Sequence, residues 1–249
     1  MYKDFSNELA IAKEAAEKAG AFLKLNRDNE NKIISSSDKD IKLQADISSE
    51  KIIKDIIALK SDYPILAEES TSSYENLKGT YWVVDPLDGT ANYSRDIKIS
   101  CVSVALIREL EPVLGVIFDF NSGDLYEGSI YANALKNGEI ISVSKTKLPS
   151  EGILMTGLPN KTDYSDEALI SMIKDFQKWK KVRMIGSAAM ASTYVASGKA
   201  DMYKEHKTYI WDIAAGAAIV NSAGGKALIS NQNEHFQVDV CFANSLIKT

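Results

Sequence analysis

Residues 81–90 read Tyr-Trp-Val-Val-Asp-Pro-Leu-Asp-Gly-Thr, and this stretch constrains the fold more than any other. Trp82, Val83 and Val84 are bulky or β-branched and suit an enclosed, pleated surface, so the segment starts as a buried strand. Asp85 stands where the apolar run stops. Pro86, with a fixed φ and no N–H, predicts that the strand ends there. Gly89 permits a tight turn or a close backbone approach. Asp85 and Asp88 then aim two carboxylates into one space, with the Leu87 carbonyl between them. Thr90 offers a hydroxyl and an N–H where the chain turns into a short helix, a position that favours anions. Two adjacent carboxylates repel unless one is protonated or a cation lies between them. Magnesium accepts such oxygen ligands, and a phosphate beside it would make a phosphoryl-transfer site. Taken alone, an Asp-x-x-Asp is more often a solvated pair of turns, so the rest of the chain has to decide.

On either side the pattern alternates between helix and strand. Phe5, Leu9, Ala12, Ala16, Ala19 and Leu23 recur at helical spacing with charged residues between them. Residues 26–32 read as a polar break and 35–40 as a mobile, serine-rich loop. Asp46 opens a second helix whose apolar face is Ile52, Ile53, Ile56 and Ile57. A short strand at 64–67 ends in Glu68-Glu69-Ser70, and a polar loop follows at 71–79. Strands at 101–106, 113–118, 125–129 and 139–143, separated by turn residues, read as an antiparallel meander. After Pro149, strands at 153–156, 182–185 and 200–203 alternate with helices at 165–179, 188–196 and 213–223, and strands at 226–229 and 240–242 finish the chain. That sequence of elements predicts an α/β protein with an α+β N-terminal half. The expected halves are residues 1–146 and 147–249, meeting at a seam near 144–150 as one compact unit, with the site between them.

Composition narrows the classes. A net charge of −5 speaks against a general nucleic-acid-binding role. No stretch is long and apolar enough to span a bilayer, and residues 1–10 carry no basic-then-apolar leader. Cys101 and Cys241 are isolated and read as reduced thiols, which suits the cytoplasm. His206 and His235 lack companions for a zinc site. The basic run Lys174, Lys178, Lys180, Lys181 and Arg183 reads as a solvated helix face, and Trp211 as a packing anchor.

Four separate pieces of the chain place acids at element ends: Asp46, Glu68, Asp85 with Asp88, and Asp212. Asp46 and Asp212 each precede an apolar helix, so each alone is explained as an N-cap. In open α/β architectures ligands gather outside strand ends. If these acids converge there, their repulsion calls for more than one cation, and two metal ions can clamp the attacking and leaving oxygens of a phosphoryl displacement.

Three segments carry a family resemblance: Ala67-Glu68-Glu69-Ser70, residues 85–90, and Trp211-Asp212-Ile213-Ala214-Ala215-Gly216 leading to Ala223-Gly224-Gly225. In order and separation they resemble the inositol monophosphatase family of magnesium-dependent, lithium-sensitive phosphatases. The resemblance implies a layered α-β-α-β-α sandwich, a homodimer and two or three magnesium ions per site. It implies one ion on Glu68, Asp85 and the Leu87 carbonyl and a second on Asp85, Asp88 and Asp212, with a weaker third near Glu68. Gly89 and Thr90 would cradle phosphate, and Thr90 paired with Asp46 would orient the attacking water. Gly186, Ser187, Ala188 and Glu205 would contact the alcohol part of the substrate. Residues 91–93, Ala-Asn-Tyr, are near the Thr-Asn-Phe of the inositol branch, whereas Leu43 stands where the family often has Thr and 204–210 follows neither branch. A phosphorylated polyol, inositol monophosphate first, is the expected substrate. A 3′(2′),5′-bisphosphate nucleotidase, a fructose-1,6-bisphosphatase and a non-catalytic macromolecule-binding member of the fold are the alternatives. Haloacid-dehalogenase phosphatases use Asp-x-Asp, one residue shorter than the Asp-x-x-Asp present here.

Overall fold

The computed structural model describes residues 5–36, 41–70, 77, 79–158 and 162–247. Most of the loop expected at 71–79, and residues 37–40 of the loop expected at 35–40, lie outside these. The chain opens with helix α1 (Ser6–Leu25), a one-turn helix α2 (Arg27–Glu30), a hairpin of β1 (Ile33–Ser36) and β2 (Ile41–Leu43), and helix α3 (Gln44–Lys60). Residues 26–32 are therefore not simply a break, because α2 occupies most of it. Strand β1 is exposed along its whole length, so no buried/polar alternation marks it in the sequence.

A seven-stranded sheet follows, built from β3 (Ile65–Ala67), β4 (Thr80–Asp88), β5 (Cys101–Arg108), β6 (Glu111–Asp119), β7 (Asp124–Ser129), β8 (Ala132–Lys136) and β9 (Glu139–Ile140) in that spatial order. Strand β3 runs parallel to β4, and the others form an antiparallel meander. A short helix α4 (Thr90–Ser94) leaves the end of β4. The strand does not stop at Pro86. Asp85 pairs with Ser103 and Asp88 with Cys101, so β4 carries one extra residue there. Such a bulge lets the strand pass a residue that has no N–H to donate.

The second sheet has the order β11-β10-β12-β14-β13, from β10 (Ile153–Thr156), β11 (Lys181–Met184), β12 (Met202–Tyr209), β13 (Lys226–Ser230) and β14 (Gln237–Ala243). Helix α5 (Asp166–Phe176) links β10 to β11, α6 (Ala188–Ala196) links β11 to β12, and α7 (Ile210–Ser222) follows β12 directly. Strand β12 continues six residues past the expected end at Tyr203, and α7 starts three residues before the expected 213.

Period-two alternation sorts β4 between two cores. Trp82 and Val84 join the cluster formed with α1 and α3. Tyr81 and Val83 join the cluster that holds α6, α7 and the inner face of the second sheet. A smaller group, Leu154, Met202, Ala243 and Ile247 with Phe176 and Trp179, lies on the α5 side of that sheet. The layers are thus α1/α3, sheet, α6/α7, sheet and α5, the five-layer sandwich expected. By the same alternation Asp85 continues the Tyr81–Val83 face, toward α7. Helix α7 is apolar and small-sided at Ala214, Ala215, Gly216, Ala217 and Ala218, all buried, so it packs close to β5 and β6.

Candidate active site

The acids converge at one end of the first sheet. Glu68 follows β3 and is held beside Asp85 by the Glu68 N–H donating to the Val84 carbonyl at 3.2 Å. The Glu68 and Asp85 carboxyls lie side by side, and each bears on the other's pKa. Desolvation pushes both pKa values well above the ordinary range, and the charge of Asp212 raises both further. Asp85 also feels Asp88, and its Oδ1 accepts from the Leu87 N–H at 2.9 Å, which shapes the turn. Asp85 is only 2% exposed. Glu69, next to Glu68, turns away to pair with Lys42.

Asp46 and Asp212 use one device twice. Neither is an N-cap; each is the third residue of its helix and reaches back to the backbone N–H of the residue preceding it. Asp46 Oδ2 accepts from Leu43 N–H at 2.6 Å, and Asp212 Oδ2 from Tyr209 N–H at 3.0 Å. Thr208 adds its hydroxyl to Asp212 Oδ2 at 2.7 Å. The other Asp46 oxygen, Oδ1, faces the Thr90 hydroxyl at 3.1 Å, and that hydroxyl also has the Leu87 carbonyl at 3.0 Å. Burial pushes Asp46 up to about 7, against the pull of the Leu43 N–H.

Asp88 is held by the start of α6. Ser187 donates its hydroxyl, and Ala189 its N–H at 2.8 Å, to Asp88 Oδ2. Cys101 Sγ lies 3.7 Å from the same oxygen, buried and free of any disulfide. Burial raises the Asp88 pKa despite these donors. Gly89, at φ +87, caps α4, and a β-carbon there would stand 2.8 Å from the Ile99 carbonyl.

The two halves of this arrangement are joined by a side chain with no acidic signature. Asn92 Nδ2 lies 2.8 Å from the Ile99 carbonyl, 2.7 Å from that of Ile185 and 3.2 Å from that of Gly186. It ties the turn after β4 to the loop that carries Ser187. Sequence reading noticed Asn92 only as part of a motif match, because its three acceptors come from residues 7 to 94 positions away.

Glu205 borders the site from β12. The Tyr203 hydroxyl, two residues earlier on the same strand face, meets its Oε2 at 3.0 Å. Burial pushes Glu205 up to about 8, with Asp212 and Asp88 adding to the rise. The charges of Glu68, Asp85, Asp88, Asp212 and Glu205 therefore act on one another, although they come from four separate parts of the chain.

The donor set is carboxylate and carbonyl oxygen carrying an excess of negative charge, which suits a hard divalent cation. Among the described residues no three His, Cys, Asp or Glu side chains are preassembled as a cation-binding group. The carboxylates are instead tied to protein donors and to one another. The remaining readings fall outside the site. His206 meets Asp239 at 3.3 Å, His235 meets Glu234 at 3.7 Å, and both histidines are exposed. Trp211 is buried and stacks on Tyr209 at 4.7 Å, as a packing anchor should. All five residues of the basic run are exposed. No helix among the described residues is long and apolar enough to cross a membrane.

Comparison with known proteins points the same way. The model of the inositol monophosphatase family matches residues 4–246. A protein of Xylella fastidiosa named Nus factor SuhB is 36% identical over 86% of this chain and 79% of its own length. An inositol monophosphatase of Mesembryanthemum crystallinum is 32% identical over 98% of this chain and 93% of its own. The solved inositol monophosphatase of Anabaena superposes with a TM-score of 0.83 at 30% identity, covering 97% of this chain and 92% of the other.

Proposed function

This chain belongs to the inositol monophosphatase family, and from that premise we propose that it hydrolyses a small phosphorylated polyol, inositol monophosphate first, with magnesium and without a covalent enzyme intermediate. The observation that carries the reading is the meeting of Glu68, Asp85, Asp88 and Asp212 from separate segments, close enough that their charges raise one another's pKa values. Those four side chains and the Leu87 carbonyl would hold the metal. Bound magnesium would supply Lewis acidity at the phosphoryl group and ease ionisation of water.

The chain's own groups do the rest. Thr90 has its hydroxyl proton committed to Asp46 or to the Leu87 carbonyl, so its oxygen presents a lone pair to an incoming water. Asp46 in turn keeps Thr90 in that orientation. Gly89 and Thr90 would receive the phosphate on backbone groups, and Glu68 would act with Thr90 and Asp46 in aligning water. Ser187 and Ala188 lie against Asp88, and with Gly186 and Glu205 they would contact the alcohol part of the substrate. Two or three magnesium ions, a homodimeric state and a cytoplasmic location are part of the same reading and rest on family resemblance.

The direct test is phosphate release from inositol 1-phosphate. We expect turnover with magnesium, loss to background on chelation and recovery when magnesium is restored. A folded protein that releases no phosphate from any small monoester under these conditions would sink the proposal in favour of a non-catalytic member of the fold. Asn92→Ala offers a finer check. Losing its three carbonyl contacts leaves the loop carrying Ser187 tied to the turn carrying Asp88 only through Asp88 itself, so that carboxylate is held less firmly. We expect kcat to fall roughly 10–100-fold, as for other groups that orient a metal ligand, with a nearly unchanged melting temperature. An equal loss of activity and folded protein would make Asn92 a stability residue only.

A further inference from the structure

Between α5 and strands β10 and β12 lies a cavity of about 480 Å³. Its wall includes Leu154, Leu158, Met172, Phe176, Ser171 and Glu205. Glu205 belongs to both places: it lines this cavity, and its carboxyl feels the charges of Asp212 and Asp88. We propose, resting on the phosphomonoesterase reading, that this cavity receives the distal part of the leaving alcohol and selects alcohols with an apolar, uncharged extension such as an aryl ring.

Three observations support this. First, α5 has an amphipathic sequence, yet none of its residues is fully buried. Met172 and Phe176 are only half-buried and line the cavity, so the helix stands off the sheet and leaves apolar surface for a ligand to cover. Second, the charged groups of the rim are engaged with one another. Lys204 faces Asp175 at 3.7 Å, and His206 and the Lys207 N–H both meet Asp239. With Asp163, Asp175, Glu205 and Asp239 in the lining, a second phosphate would meet more negative than positive charge. Third, the boundary with the carboxylate centre is fixed. The Tyr203 hydroxyl holds Glu205, and Gly157 lies so close that a β-carbon there would stand 2.4 Å from Glu205 Oε2. The carboxyl thus has a set position from which to hold the alcohol oxygens while the extension passes beyond it.

The test compares 1-naphthyl phosphate, inositol 1-phosphate and fructose 1,6-bisphosphate on the full chain with magnesium. Met172→Trp and Ser171→Trp each fill the cavity while leaving Glu68, Asp85, Asp88 and Asp212 in place, none of which lines it, and Met172→Ala enlarges it. Each substrate is compared with itself across variants, so the better leaving group of the aryl ester cancels. We expect both Trp variants to lower kcat/KM for naphthyl phosphate about tenfold or more through KM, with inositol 1-phosphate within about twofold. We also expect Met172→Ala to leave naphthyl phosphate turnover intact and fructose 1,6-bisphosphate to remain the poorest substrate. A wild-type protein that hydrolyses inositol 1-phosphate but not naphthyl phosphate overturns the inference. So do Trp variants that shift both monoesters in parallel, or neither. If no ester is hydrolysed by the wild type, the fault lies with the phosphatase reading itself.

Discussion

Asp85→Asn is expected to lower turnover by about 10²–10³-fold or more, on the scale seen when a group stabilising transition-state charge is lost, while the protein stays folded. Asp85 feels the charges of Glu68, Asp88 and Asp212, and in the proposed site it would be the carboxylate shared by two cations. Asparagine has nearly the same shape, and its oxygen can still accept the Leu87 N–H that shapes the turn. What disappears is a charge. Without metal, that charge is a burden, because Asp85 is buried and the carboxyls of Glu68, Asp88 and Asp212 repel it. The metal-free variant should therefore melt at or above the wild-type temperature. Magnesium should stabilise the wild type by roughly 2.7 kcal/mol at a hundred times its Kd and stabilise the variant much less. Calorimetry with and without magnesium, run beside the phosphate-release assay, separates these effects. Activity within tenfold of wild type, or an equal magnesium shift in both proteins, would remove Asp85 from the metal site.

Gly115→Ala should be among the most destabilising single-methyl changes in the chain. A β-carbon at 115 would stand 2.3 Å from the Ala215 carbonyl oxygen and 2.5 Å from its Cα. Both obstacles are backbone, so no side chain can rotate aside, and either β6 or α7 must move. Overpacking typically costs about 1–3 kcal/mol, and here we expect the upper end, a fall of roughly 5–10 °C in Tm. The displaced helix carries Asp212, so activity should fall more than the remaining folded fraction explains. Ala215→Gly in the same chain should give no rescue, because the clash is with backbone rather than with the Ala215 methyl. A Tm within 2 °C of wild type, or full rescue by that second change, would show that the two layers are less tightly joined than their geometry indicates.

Much of this arrangement was legible in advance. The amphipathic spacing of α1, the apolar run of β4 and the meander after Cys101 each carry a strong local pattern, and each formed close to where it was expected. The elements that escaped notice lack such patterns. Strand β1 is exposed throughout, and β8 is built from Ala-Asn-Ala-Leu-Lys, which has little β preference. Pro86 suggested a strand end because a proline cannot join a regular ladder. A one-residue bulge let β4 continue to Asp88.

The order of the acids, their residue types and their places at element ends were set by the sequence, since each is marked by where an apolar run begins or stops. That was enough to suggest a hard-cation site and a phosphate chemistry. Their convergence belonged to the tertiary structure, because it depends on how closely α7 can approach β6, a distance governed by Gly115 and the small residues of α7. The same holds for the Asn92 tie and for Ser187 on Asp88, which join residues about 90 to 100 positions apart. Local propensity acts over a turn or a strand. Contacts of that span form only when packed layers bring their ends together.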